Sequence, residues 1–230
     1  RRVNDDLAKA IFELYIKQLD FQKRFLLKSD VEQLTAFTLY IDDNLANGTI
    51  VLPNTAYDIM NQRIEQVEKM VREILEAGFD IERSESWETD SEKQEYVETD
   101  SALKERWRLS LKAQVISRYI DLLEEEQKKV LTKNDESGEK SFDKGAMLLG
   151  FIEKQIDKET LKKAVEKVAK QNREFFTRIH QETLQDHYDR FFSAVTHAFD
   201  PHTNYMAPAR KEDFDISMRG SLEGIGALLR

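Results

Sequence analysis

Residues 57–74 read YDIMNQRIEQVEKMVREI, and their apolar side chains recur at spacings of 3, 4, 3, 4 and 3 residues: Tyr57, Met60, Ile64, Val67, Val71 and Ile74. This spacing is typical of a helix that lies nearly parallel to a neighbouring helix. Gly78 can end the helix in a left-handed conformation. Because the seam covers only two to three heptads, we favour an intramolecular helical hairpin over a dimerising coiled coil.

Helical periodicity continues on both sides of this seam. We predict helices over 5–19, 29–47, 100–130, 158–179 and 186–199, with a capping box at Ser29-Asp30-Val31-Glu32, stops at Gly48 and Pro201, Asp100 as a cap and Trp107 as a core anchor. The chain has only three prolines and eight glycines. The sequence therefore predicts an all-α fold, a multi-helix bundle with long antiparallel helices.

Two polar stretches interrupt the helices. Residues 82–100 contain eight acids against Arg83 and Lys93, which accounts for −6 of the net charge of −9, and we interpret them as a solvated connector. Within it, Trp87 is expected to pin the connector as a hydrophobic tether. Residues 132–144 are polar and include Gly138, so they are expected to form a mobile loop.

Composition excludes several function classes. The acidic balance, with a pI near 5.2, argues against nucleic acid as a partner, because phosphate binding needs a concentrated cationic face. No apolar run approaches the roughly 20 residues of a membrane span, and residues 1–6 lack the apolar core of a signal peptide. The absence of cysteine excludes disulfides, thiolate metal sites and a cysteine nucleophile.

No reactive motif stands out among the residues. On a continuous helix, His180 and His187 would lie about 10 Å apart along the axis, too far for one ion, and His197 and His202 complete no zinc pattern. We expect the histidines at helix surfaces, with His202 in a turn, and we predict no metal and no cofactor. Gly-x-Ser-x-Gly, Walker and Gly-x-Gly-x-x-Gly motifs are absent.

The sequence ends in a glycine loop, Gly224-Ile225-Gly226-Ala227, followed by Leu228 and Leu229. We expect a short truncated β-strand here, and since a lone strand has no ladder partner we interpret the chain as the N-terminal piece of a longer protein. The backbone N–H groups of such a loop can hold a carboxylate, as PDZ domains do. An ordinary turn entering a strand is the alternative for these residues alone.

A longer block includes this loop: Phe199-Asp200-Pro201-His202-Thr203-Asn204-Tyr205, then Pro208, Glu212-Asp213-Phe214 and Ser221-Leu222-Glu223-Gly224-Ile225-Gly226-Ala227. This order resembles the tail-specific, or carboxy-terminal processing, proteases of bacterial envelopes, although Ala207 stands where the family often has serine. Upstream, Ile11-Phe12, Tyr15, Leu19-Asp20 and residues 26–33 are similar to the helical N-terminal region of the longer family members.

The resemblance implies a division of the chain and roles for named residues. Residues 1–199 would be the helical domain, 200–220 a connecting turn with a short helix, and 221–230 the first strand and loop of a PDZ domain. The loop residues implied to bind a substrate's C-terminus are Leu222, Gly224, Ile225, Gly226 and Leu228. The turn residues are Asp200, Pro201, His202, Thr203 and Tyr205, with Asp200 capping and Tyr205 packing.

The resemblance also implies a Ser-Lys dyad C-terminal to Arg230, a periplasmic location and protein substrates with unstructured C-terminal tails. The helical region would dock against the rest of its own protease or a helical-repeat lipoprotein adaptor. Our first hypothesis is thus a non-catalytic scaffold domain of a serine endopeptidase. A free-standing helical interaction module, using the 57–74 seam or Trp87, and an independent hydrolase remain as alternatives.

Overall fold

A computed structural model describes residues 4–134, 156–203, 205–208, 211, 214, 215 and 218. Its elements are α1 (Asp5–Leu19), α2 (Lys28–Thr35), a 3₁₀ helix (Ala36–Tyr40), α3 (Ile41–Asn47), α4 (Leu52–Ala77), α5 (Asp100–Asn134), α6 (Lys158–Ile179) and α7 (Leu184–Phe199). The all-α prediction is confirmed for these residues. The predicted C-terminal strand lies outside them, as do residues 135–144 of the predicted loop.

Residues of the chain fall into two compact units. The first comprises residues 1–21, 31–58 and 182–230, and the second comprises residues 22–30 and 59–181. Within the described ranges, no helix combines the length and the apolar character that crossing a bilayer requires.

The first unit is built on the packing of α1 against α7. Tyr15 meets Phe191 edge to face, with ring centroids 5.8 Å apart. Both helices have side-chain caps at their first turn: Asn4 accepts from the Leu7 N–H, and Thr183 with Asp186 forms a capping box. The buried residues of this unit include Ala8, Ile11, Phe12, Ile16, Leu19, Leu34, Ile41, Leu52, Ala56 and Ala194.

The second unit contains the greater part of α4, together with α5 and α6. Its centre is Trp107, which packs between the rings of Phe25 and Phe176 and donates its indole N–H to the Arg24 carbonyl at 2.6 Å. The seam residues Met60, Ile64, Val67, Val71 and Ile74 are all buried. The chain itself therefore covers the seam, as expected of an intramolecular arrangement, and the prediction of Trp107 as a core anchor is confirmed.

Two predicted helix caps are wrong, and α7 begins at Leu184, two residues before its predicted start. Thr99, not Asp100, caps α5, because its hydroxyl accepts from the Ala102 N–H at 3.2 Å. Similarly, α2 begins at Lys28, which places Ser29 inside the helix. Asp30 supplies the capping bond there, accepting from the Leu27 N–H at 2.8 Å.

The acidic connector is held at several points. Most of its acids are exposed, as predicted, and Trp87 is half-buried. Glu85 is different: its side chain is only 12% exposed and lies 2.5 Å from Arg108 Nη2 and 2.6 Å from Lys112 Nζ. We call these three residues the Glu85 cluster. Hydrogen bonds from Arg108 first, and from Lys112 second, lower the pKa of Glu85 to about 2.

Candidate functional site

The turn after α7 is organised by Asp200. Its Oδ1 accepts from the His202 N–H at 3.0 Å, its Oδ2 accepts from the Thr203 hydroxyl at 2.9 Å, and its carbonyl accepts from the Thr203 N–H at 3.0 Å. The His202 bond first, and the Thr203 bond second, hold the pKa of Asp200 below its usual value. Pro201 lies between these residues. The Asp200 carboxylate therefore stabilises the turn by binding the backbone N–H of His202 and the hydroxyl of Thr203.

After the turn, the chain returns to the first unit. The ring of Tyr205 packs on Phe192, with centroids 5.3 Å apart and the planes inclined by 36°. Ala207 is buried, and its carbonyl accepts from the Lys211 N–H at 3.0 Å, which is the bond of a helical turn. The turn residues therefore fix the direction of the chain beyond α7.

One histidine is buried, contrary to the expectation of surface histidines. His187 is 1% exposed on α7, its ring meets Tyr57 edge to face at 5.1 Å, and its Nδ1 has no hydrogen-bond partner in the described structure. The nearest charged pair is Glu182, 3.9 Å from its Nε2, with Arg190. Burial first, and the charge of Arg190 second, lower the pKa of His187 to about 4.

His187 does not have the contacts of a catalytic base or a metal ligand. A general base needs hydrogen-bond reach to the group it deprotonates, and Nδ1 of His187 contacts no such group in the described structure. Across residues 4–134, 156–203 and the few described positions beyond them, no group of three or more His, Asp and Glu side chains could hold a metal. The side chain serves the packing of the first unit.

His180 is in a different setting. Its Nε2 lies 2.9 Å from Glu68 Oε2, which joins α6 to α4 within the second unit. Because α6 ends at Ile179 and α7 begins at Leu184, His180 and His187 do not share the continuous helix that their spacing allowed. The two histidines therefore belong to different local environments.

A shallow groove of about 550 Å³ runs between α4 and α6 in the second unit. Its lining residues are Glu68, Val71, Arg72, Leu75, Glu76, Val165, Glu166, Ala169, Asn172, Arg173 and Phe176. Val71 and Phe176 are almost fully buried, so they form a covered floor. Charges of both signs surround this floor.

Comparison with known proteins identifies the family. A model described as the tail specific protease N-terminal domain matches residues 1–209. The chain belongs to this family. It is also similar to the tail-specific protease of Haemophilus influenzae, with 24% identity over 231 residues that cover 100% of the chain and 28% of that protein. The chain thus spans little more than a quarter of the curated relative that it matches.

Membership of the tail-specific protease N-terminal domain family confirms the family resemblance drawn from the sequence. The proposed tail-binding residues Leu222, Gly224, Ile225, Gly226 and Leu228 follow the matched range and lie outside the described structure. Their role stays a prediction. Sequence reasoning missed the buried His187 and the largely covered Glu85, and both have structural roles in the geometry above.

Proposed function

We propose that this chain is the non-catalytic N-terminal scaffold of a longer serine-type endopeptidase that acts in the periplasm on proteins with unstructured C-terminal tails. The observation that carries the proposal is the share of the alignment: all of this chain corresponds to 28% of a tail-specific protease. We assign a scaffold or recognition function to this part, because its described residues show no catalytic arrangement.

The environments of the polar groups support a structural role. Asp200 bonds its own turn, Glu85 bonds two cations of α5, and His187 lies in an apolar contact with Tyr57. Among the described residues, each of these buried or pKa-shifted groups is therefore used to hold the fold. Of these three groups Asp200 contacts a hydroxyl, that of Thr203, and this bond belongs to the local turn after α7.

The finer parts of the proposal rest on the resemblance. Residues 221–227 resemble the entry to a PDZ domain, whose loop would receive the substrate's terminal carboxylate. The Ser-Lys dyad is assigned to the polypeptide C-terminal to Arg230, where the lysine would deprotonate the serine hydroxyl. The alternative hypothesis is a module that binds partners through the 57–74 seam. Five of the six seam residues are buried, so this seam offers little exposed apolar surface to a partner.

The test compares the full-length protein with residues 1–230. The substrate is a folded protein with an unstructured C-terminal extension, and the control substrate has the same extension with its carboxylate amidated. We expect the full-length protein to cleave only the free tail, a serine-directed inhibitor to stop it, and residues 1–230 to cleave neither. Cleavage by residues 1–230 alone would contradict the proposal. A coding frame that encodes no Ser-Lys dyad C-terminal to Arg230 would contradict it as well.

A further inference from the structure

We propose that Asn47 is a site of spontaneous covalent modification, at which the Gly48 backbone nitrogen closes a ring on the asparagine side chain and so converts it to aspartate and isoaspartate. The Asn-Gly pair occurs once in the sequence, at the end of α3. The inference goes beyond the proposed function and does not depend on it, because it concerns the chemistry of the first unit alone.

The reaction consumes only water. The Gly48 backbone nitrogen loses its proton to solvent and attacks the side-chain carbonyl carbon of Asn47. A carbon–nitrogen bond forms between these atoms, the carbon–nitrogen bond of the side-chain amide breaks, and the amide nitrogen takes a proton from solvent and leaves as ammonia. Water then opens the cyclic imide at either carbonyl carbon. One opening gives aspartate, and the other gives isoaspartate, in which the main chain runs through the side-chain methylene carbon.

The first observation is the accessibility of the reacting groups. Asn47, Gly48 and Thr49 are all exposed. The carboxamide of Asn47 makes no hydrogen bond with another described residue, so it is free to rotate toward the main chain. A side-chain carbon placed on Gly48 would have no neighbouring atom within 4 Å. Because glycine itself lacks that carbon, nothing blocks the approach of its nitrogen to the Asn47 side chain.

The second observation is the restraint that the reaction must overcome. Gly48 ends α3 in the left-handed region, with φ of 70°, and donates its N–H to the Asn44 carbonyl. Thr49 donates its N–H to the same carbonyl at 3.0 Å. While these bonds hold, the Gly48 proton is occupied and the attack is blocked. The last turn of α3 must therefore open before the ring can close.

The third observation is that α3 is weakly held. It has seven residues, of which Ile41 alone is buried, and Tyr40 at its start gives no side-chain cap. Terminal turns of so short a helix open at a small fraction of the cost of global unfolding. The folded protein thus reaches the reactive geometry by local opening.

The product changes the segment that joins α3 to α4. A carboxylate at position 47 lies at the C-terminal end of α3 and four residues after Asp43, and both relationships are unfavourable for a negative charge. Isoaspartate also lengthens the main chain by one carbon. Just downstream, the Tyr188 hydroxyl donates to the Ile50 carbonyl at 3.0 Å. Modification should therefore loosen the connection that Tyr188 holds.

Peptide mapping by mass spectrometry tests the inference. The folded protein is incubated at mildly alkaline pH, and conversion is followed by the mass gain of a carboxylate over an amide and by separation of the isoaspartyl peptide. We expect Asn47 to convert faster than Asn44 and Asn54 by about tenfold or more, because residues with side chains follow those two. Equal rates at the three asparagines overturn the inference.

Asn47→Gln is the matched variant, since glutamine keeps an amide but would have to close a larger ring. The rapid mass gain should be absent from this variant, and a gain that persists assigns the reaction to another residue and overturns the inference. After incubation, amide hydrogen exchange of residues 41–50 should be faster by about twofold or more in the natural protein and unchanged in the variant. Unchanged exchange in the converted natural protein refutes the loosening. Neither readout involves cleavage of a substrate, so failure of the proposed function is distinguishable from failure here.

Discussion

Arg63 holds Asp30 through two parallel hydrogen bonds, 2.7 Å from Nε to Oδ2 and 3.0 Å from Nη2 to Oδ1. The two side chains are only 15% and 11% exposed. Asp30 also accepts the Leu27 N–H, so a single carboxylate caps α2 and joins it to α4 within the second unit. This hydrogen bond with Asp30 is the main reason why the pKa of Arg63 is raised.

Asp30→Asn should destabilise the second unit by about 2 kcal/mol, because the largely covered guanidinium of Arg63 then keeps only the more exposed Asp100, 2.9 Å from its Nη1, as a charged partner. Urea unfolding followed by circular dichroism measures the change. Lys9→Ala is the control: its pair with Glu13 is 4.0 Å long and exposed, so the loss should stay below about 0.5 kcal/mol. Equal effects of the two substitutions would refute the importance of the Arg63–Asp30 pair.

Trp107→Ala should cost about 3–5 kcal/mol, because it removes a buried ring that packs on Phe25 and Phe176. Trp107→Phe refills most of the space but leaves the Arg24 carbonyl without its indole donor, so it should cost about 1–3 kcal/mol. Denaturant unfolding of both variants checks this order. An alanine variant as stable as the phenylalanine variant would show that Trp107 is not the centre of this core.

The stability of the first unit should fall at acid pH because of His187. Its pKa is lowered from 6.5 to about 4 in the folded chain, so folding favours the neutral imidazole over the protonated one. The stability that depends on this neutral imidazole is complete above pH 6.5 and is lost as pH falls from 6.5 to 4, by about 3 kcal/mol in total. Unfolding free energies measured at pH 7, 5.5 and 4 should show this decline.

His187→Gln is the matched variant for that series, since glutamine does not titrate. It should be less stable than the natural chain at pH 7, and the difference should shrink as pH falls to 4. His180→Gln serves as the control for a solvent-accessible histidine paired with Glu68. A difference between His187→Gln and the natural chain that stays constant with pH would exclude titration of His187 as the cause.

Glu85→Gln should lower the urea midpoint at pH 7, because Arg108 and Lys112 would then lack their shared carboxylate. The pKa of Glu85 is lowered from 4.5 to about 2, so its stabilisation is present above pH 4.5 and disappears as pH falls toward 2. Glu82→Gln, on an exposed acid of the same connector, should leave the midpoint unchanged. Identical midpoints for both variants would mean that the Glu85 cluster does not hold the connector.

The helices could be predicted because their apolar period depends on local geometry alone. The span of α1 and the buried seam of α4 follow from it. The starts of α2 and α5 could not be fixed as well, because neighbouring residues can each bind a free N–H of a first turn: Asp30 does so from inside α2, and Thr99 does so in place of Asp100 at α5. Only the backbone geometry selects between them.

The contacts of Glu85 and His187 depend on residues that are distant in sequence. Glu85 is bound by residues 23 and 27 positions later in the chain. A signal was present, because Arg108 and Lys112 are four residues apart and share a helix face. For His187, the spacing to Phe191 and Ala194 already indicated a buried stripe of α7. The division into two units had no such signal, since α4 keeps one apolar period through the boundary at Asp58.

The packing of α1 on α7 sets the order in which the chain can be completed during synthesis. Leu19 ends α1 and Leu184 begins α7, so the 164 residues between them must be translated before the partner helix starts. At bacterial or eukaryotic elongation rates this takes roughly ten to thirty seconds. Throughout that interval the apolar side of α1, with Ile11, Phe12 and Tyr15, has no α7 to cover it. Formation of the first unit thus depends on a contact between segments that are distant in sequence, and it should be slower than the folding of a unit held by local contacts alone.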